Sequence, residues 1–267
     1  MTSRLSPFRS PQPPEVHLER PPLVQVIAQV RFPPILALGR QESVAPFQEA
    51  IRRRYPILRP ESVPERLLLG VDGPVVQPST MLWRFHDKDD VWRVALTTNS
   101  ISLQANKYSS RADFFERLHQ LLDELVRVTD PVAAGYERFG IRYVNRVRHP
   151  ELEHLSRMVQ PEVLGVANIG FGPELIFSVC ESSFAVDDAQ LRARWGLLPP
   201  RATTDPTAIR EIDESSWILD LDMFVEKQPE FDASVVVERG QRFAETIYAF
   251  FRWCVTDEFL RTYGGQV

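Results

Sequence analysis

The chain is poor in the residues on which several function classes depend. Its 267 residues include two cysteines and five histidines. Cys180 and Cys254 lie far apart in no CxxC spacing, which excludes a disulfide scaffold and a zinc ribbon. Their apolar neighbours lead us to expect both as buried thiols. His149 and His154 are five positions apart, whereas helical zinc pairs stand four apart so that both rings leave one face. His86 falls in a hairpin loop and His119 on the polar side of a helix, so surface histidine is the expectation throughout. Basic charge is short as well: 31 Lys and Arg against 36 Asp and Glu give a net charge of −5. Nucleic-acid binders draw most of their affinity from phosphate neutralisation, so that balance argues against bulk nucleic-acid binding. No apolar run approaches the ~20 residues of a membrane helix. The opening MTSRLSPFRSPQPPE lacks the apolar core of a signal peptide, and the expectation is a cytoplasmic protein without membrane contact. No GxSxG elbow, Walker A loop, HExxH pair or dinucleotide fingerprint occurs, and no cofactor is implied.

What is present is ordinary for a folded chain, with 43% hydrophobic and 25% charged residues. Residues 1–22 are rich in Pro and Ser and read as a flexible tail. Order is expected from LVQVIAQVRF, whose Val24, Val26, Ala28, Val30 and Phe32 alternate as in a strand. A helix over 43–55 and strands at 66–71, 81–85, 91–97 and 100–105 follow. The stripe Phe114, Leu118, Leu121, Leu125 predicts a helix over 111–128, with Ser110 at its N-terminus. After Asp130-Pro131 the order restarts: a strand from 137, a short helix over 150–160, and strands at 163–170, 174–181, 188–196 and 217–225. A polar connection, 199–214, precedes the last strand, and a long helix over 233–254 closes the series. The expected fold is α+β. It has two pseudo-repeated β-α-β-β-β-β-α halves, 23–130 and 131–267, whose antiparallel sheets are each backed by a long helix. That order is analogous to the half-domains of TATA-binding-protein-like and helix-grip folds.

The segment ERFGIRYVNRV (137–147) concentrates the charge of interest. As a strand it places Arg138, Arg142 and Arg146 on one face and Phe139, Ile141, Tyr143, Asn145 and Val147 on the other. Forked guanidinium donors so aligned suit phosphate or carboxylate. The alternative is cross-strand pairing, because Asp220, Asp222 and Glu226 share one face of WILDLDMFV and its continuation. Asp220 and Asp222 could also hold a divalent ion, although such a site normally needs a third carboxylate and a phosphate-binding loop, and no glycine-rich phosphate loop of the familiar kinds is present. Trp83, Phe85, Trp92, Tyr143 and Trp217 could stack on bases, but alternation with polar residues favours a core role.

Several stretches together resemble a known family: PPLVQVIAQVRF, the LWRF…WRVALT…ISLQANKY…FF block, FGIRYVNRV, and LDLD with the closing FFRWCVTDEF. The family is a sporadically distributed set of bacterial proteins designated by a serial number, with FGIRYVNR as its most specific element. It implies no activity, and its patchy occurrence implies an accessory role in a mobile or defence system. The expected function is therefore a non-enzymatic binding or interaction protein, with Arg138, Arg142, Arg146, Tyr143 and Asn145 offered to an anionic small molecule or an acidic protein partner. Homodimerisation is compatible with this expectation. The alternative is a divalent-metal-dependent enzyme on nucleotides or nucleic acid, using Asp220 and Asp222.

Overall fold

The computed structural model describes residues 6–267 except 64–65, 71–72, 78–79, 130–134, 170–173 and 229–230. Its elements in order are β1 (Leu23–Arg31), α1 (Gln41–Ile51), β2 (Ile57–Val63), β3 (Arg66–Gly70), β4 (Gly73–Gln77), β5 (Thr80–His86), β6 (Trp92–Leu96), β7 (Ser100–Ala105) and α2 (Arg111–Thr129). Then come β8 (Tyr136–Val147), α3 (Leu155–Met158), α4 (Pro161–Leu164), β9 (Ser178–Val186), β10 (Ala189–Leu198), β11 (Ser216–Gln228), α5 (Ala233–Cys254) and α6 (Asp257–Thr262).

The fold is α+β, and the strands form one large sheet in place of the two expected. Its order is β2-β5-β6-β7-β1-β8-β11-β10-β9, with β3 and β4 as a separate hairpin. The described registers, β2 with β5, β5 with β6, β6 with β7, β9 with β10 and β10 with β11, are all antiparallel. Contacts divide the chain into two compact units. One comprises the described residues up to Val26 with Ile141–Phe224 and Gln241–Val267; the other comprises Ile27–Gly140 and Val225–Gly240.

Within the second of these units, α1 and α2 cover their strands with the faces that periodicity assigns. Val44, Phe47 and Ile51 of α1, and Phe114, Leu118, Leu121 and Leu125 of α2, are buried. Phe47 meets Phe85 edge-on at 5.8 Å between ring centres. Ser110 accepts from the Asp113 amide at 3.1 Å and so satisfies one orphan donor of α2. Helix α1 begins earlier than expected, which moves Pro46 beyond its first turn.

In the first unit, the core is built on Leu191, Ala193, Leu219 and Leu221 of β10 and β11 with Ile247 and Phe250 of α5, all buried. Segment 8–20, expected as a tail, makes defined contacts there. The Phe8 ring stacks on Phe250 at 5.8 Å, the Val16 amide donates to the Tyr248 hydroxyl, and the Arg20 amide donates to the Tyr263 carbonyl.

Three expectations about elements are corrected. The described part of 163–170, up to residue 169, is not a strand: α4 ends at Leu164 and a 3-10 turn follows over Gly165–Asn168. Pro161 starts that helix at its first position, and Gly165, at φ +54, ends it. The strand placed at 174–181 lies at Ser178–Val186, since Ile176 and Phe177 are exposed outside the sheet. Finally, Cys254 is buried but Cys180 is exposed, because its strand β9 is the last of the sheet.

Candidate functional site

Strand β8 carries its arginines on one face as alternation requires, yet they reach different surroundings. Arg138 is half-buried and belongs to the unit formed by Ile27–Gly140 and Val225–Gly240. Arg142 and Arg146 belong to the other. Tyr143 is half-buried and Asn145 is buried, both on the opposite face of the strand.

Arg142 is fully engaged by carboxylates. Its Nε and Nη2 donate to Oδ1 and Oδ2 of Asp220, each at 2.7 Å, a side-on fork, and Nη1 donates to Asp205 Oδ2 at 2.6 Å. Asp220 is only 3% exposed. Burial opposes the Arg142 charge, but its bonds to Asp220 and Asp205 outweigh that and raise its pKa above the ordinary value. The pairing continues across the sheet. Arg194 of β10 stands opposite Asp220 in register, with Nη1 3.8 Å from Asp220 Oδ2, and its Nε donates to Glu181 of β9 at 2.8 Å. Arg192 is the register partner of Asp222. Charges of alternating sign thus run from β9 through β10 and β11 to β8, the ladder that cross-strand pairing favours.

The connection between β10 and β11 covers the arginines. Thr203 and Asp205 shape it locally: the Thr203 hydroxyl accepts from the Asp205 amide at 3.1 Å, and Asp205 Oδ1 accepts from the Thr207 amide at 3.0 Å and its hydroxyl at 2.6 Å. These bonds leave Asp205 Oδ2 aimed at Arg142. Burial raises the Asp205 pKa, but the bonds from Thr207 and Arg142 prevail and hold it below the usual carboxylate value. Ile209, fully buried, pins the segment. Further along, Arg146 Nη1 donates to the Arg210 carbonyl at 2.6 Å, and Arg148 Nε donates to Glu214 at 2.5 Å. Arg142 and Arg146 of β8, and Arg148 just beyond its end, therefore reach one covering segment, at residues 205, 210 and 214.

Arg146 differs from its neighbours. It is 6% exposed, and its Nε and Nη2 are buried without a hydrogen-bond partner. Burial, with the nearby Arg148 cation, lowers its pKa from the ordinary value. The unmatched pair of donors is the same side-on edge with which Arg142 holds Asp220, four positions earlier in the strand.

A cavity of about 60 Å³ lies against Arg142, Arg192, Arg194, Asp205, Asp220 and Asp222. It has room for about two water molecules, and its three cations and three carboxylates balance, so its walls supply no net charge to attract an ion of either sign. Both Asp220 oxygens are held by a guanidinium, and a divalent ion there would have to displace it. Among the described residues no group of three His, Cys, Asp or Glu side chains is placed to hold a metal, and no helix is long and apolar enough to cross a membrane.

Of the aromatic residues that could have stacked on bases, Trp83, Phe85, Trp92 and Trp217 are buried, each at most 6% exposed, and Tyr143 is half-buried. The Trp83 Nε1 donates to the Leu38 carbonyl at 2.7 Å, and the Arg117 guanidinium lies 4.4 Å from the Trp92 ring centre. Sequence reasoning missed Asp205 and the Arg210 carbonyl. The first had a local signal in Thr203-Thr204-Asp205-Pro206-Thr207, a run rich in side chains that fold back on their own backbone. The second, a main-chain group, had none.

Compared with models of protein families and with curated proteins, the chain matches none.

Proposed function

We propose that this chain is a non-enzymatic binding protein that receives an anionic group at Arg146, beneath the 199–214 segment. The observation that carries the reading is the buried guanidinium fork with two unmatched donors. Glu214 acts on this charge without bonding to it, and each buried donor left without an acceptor costs about 1–3 kcal/mol, a cost that a planar carboxylate or a phosphate accepting both N–H groups would remove. The pattern for such a ligand is already in the molecule, in the way Asp220 seats on Arg142. Arg142 itself serves as the framework of the site, because its donors are committed to Asp205 and Asp220. Tyr143 and Asn145 lie on the far face of β8, so the ligand contact is assigned to the arginine face alone.

Two finer readings belong to the same proposal. The first is descent of the halves from a duplication. It is supported by a shared strand order, β1-β7-β6-β5-β2 and β8-β11-β10-β9, in which each half's first strand adjoins its last and the others follow outward. The second is an accessory role in a mobile or defence system, supported by the resemblance carried by FGIRYVNR.

Thermal unfolding with phosphate, citrate, nucleotides and short single-stranded DNA or RNA, against sodium chloride at equal ionic strength, tests the anion site. A ligand at a hundred times its Kd stabilises by about 2.7 kcal/mol, so a binding anion raises the midpoint by several degrees. Arg146→Met is expected to abolish that rise, while Arg148→Ala keeps it. No anion-specific shift in the wild type, or an equal shift in Arg146→Met, refutes the proposal.

A further inference from the structure

The two strands that end the sheet are built very differently. Edge strand β2, ILRPESV, carries Pro60, which has no N–H, flanked by Arg59 and Glu61, devices that keep other strands from adding to an edge. Edge strand β9, SVCESSFAV, has no proline or lysine, and its one charge is Glu181. It is nine residues long and pairs through β10 alone. Cys180, Glu181, Ser183 and Ala185 are exposed, and no backbone bond outside the β9–β10 ladder is made by residues 178–186 among the described residues. Immediately before the strand, Ile176 and Phe177 are 68% and 55% exposed.

The geometry points to β9 as a self-association edge, with a second copy of this chain adding its own β9 antiparallel. A two-fold pairing that uses the whole strand is centred on Ser182, its middle residue. That register sets Glu181 of one copy opposite Ser183 of the other at two symmetric places, so the only charges on the edge never face each other. It also sets exposed Ile176 and Phe177 of each copy beside the other's Asp187–Asp188 turn, so no like charges meet at the strand ends. Antiparallel pairing supplies both backbone bonds at each hydrogen-bonded residue pair, which satisfies the open row of donors and acceptors. The occupant is a second copy because the strand is charge-compatible with itself in its full-length register.

Sedimentation velocity of the full chain tests this, with two variants at exposed Ser183. Ser183→Glu places Glu opposite Glu181 of the second copy twice, while gaining Arg192, its own register partner on β10, so the monomer fold is kept. Ser183→Lys places Lys opposite Glu181 twice. The wild type is expected to sediment near twice 30.7 kDa at about 50 µM, a concentration at which even a micromolar dimer is mostly assembled. Ser183→Glu should weaken the dimer by about tenfold or more, and Ser183→Lys should preserve or tighten it. A monomeric wild type overturns the proposal. So does a dimer that both variants leave unchanged, or that both weaken alike.

Discussion

Replacing Arg142 by Met tests how far the charge ladder holds the β8–β11 region together. Methionine keeps most of the apolar bulk and removes every donor. Asp220, 3% exposed, loses the fork at 2.7 Å and keeps only Arg194, whose Nη1 is 3.8 Å away. Asp205 loses its 2.6 Å bond but retains Thr207. Breaking a buried pair by removing one partner costs about 3–5 kcal/mol. Arg194 can move toward the stranded carboxylate, which places the expectation near the low end, about 3 kcal/mol. With a urea m-value of about 3 kcal/mol/M, the unfolding midpoint should fall by about 1 M. The double variant Arg142→Met with Asp220→Leu supplies the sharper measurement. Exchanging both charges for apolar groups of similar size is often close to neutral, so the pair should cost less than Arg142→Met alone. A loss below about 1 kcal/mol in the single variant, or strict additivity in the double, refutes the assignment of a buried, mutually dependent pair.

Two further outcomes follow from other parts of the same unit. A Cβ at Gly196, whose φ is +150, would lie 1.9 Å from the Ser178 carbonyl oxygen, so the backbone must move. Gly196→Ala should destabilise by about 3 kcal/mol or more and raise amide exchange along β9, and ordinary stability would show that β9 does not approach β10 so closely. Asp205 has a pKa below its unfolded value, so its contribution is complete above about pH 4 and is lost as pH falls through the folded pKa. Wild type should therefore lose stability on acidification more steeply than Asp205→Asn, and parallel profiles for the two proteins count against the Arg142–Asp205 bond.

The long helices were legible because helical periodicity repeats over enough turns to exclude a strand: α2 spans 19 residues and α5 spans 22. Strand β2 was not, because an edge strand has no buried face to impose alternation, and Pro60 argues against any strand at all. The two-sheet expectation failed for a related reason. Periodicity marks a face as covered but carries no record of which strand lies alongside, so adjacency of β1 and β8 within one sheet left no mark in the residues. The Arg142–Asp220 pair could be anticipated because opposite charges on two amphipathic strands have few better places to go. The fate of Arg146 could not, since its acceptor is a peptide carbonyl and any chain can provide one.

The contrast between the two thiols has a practical consequence. Cys180 sits on the outermost strand in contact with solvent, and Cys254 has no exposed surface. A thiol reagent therefore meets two sites on separate clocks, one set by collision at the sheet edge and the other by the opening of the core around α5. The native sequence thus carries a position-specific handle for spectroscopic labels and an internal timer for global opening.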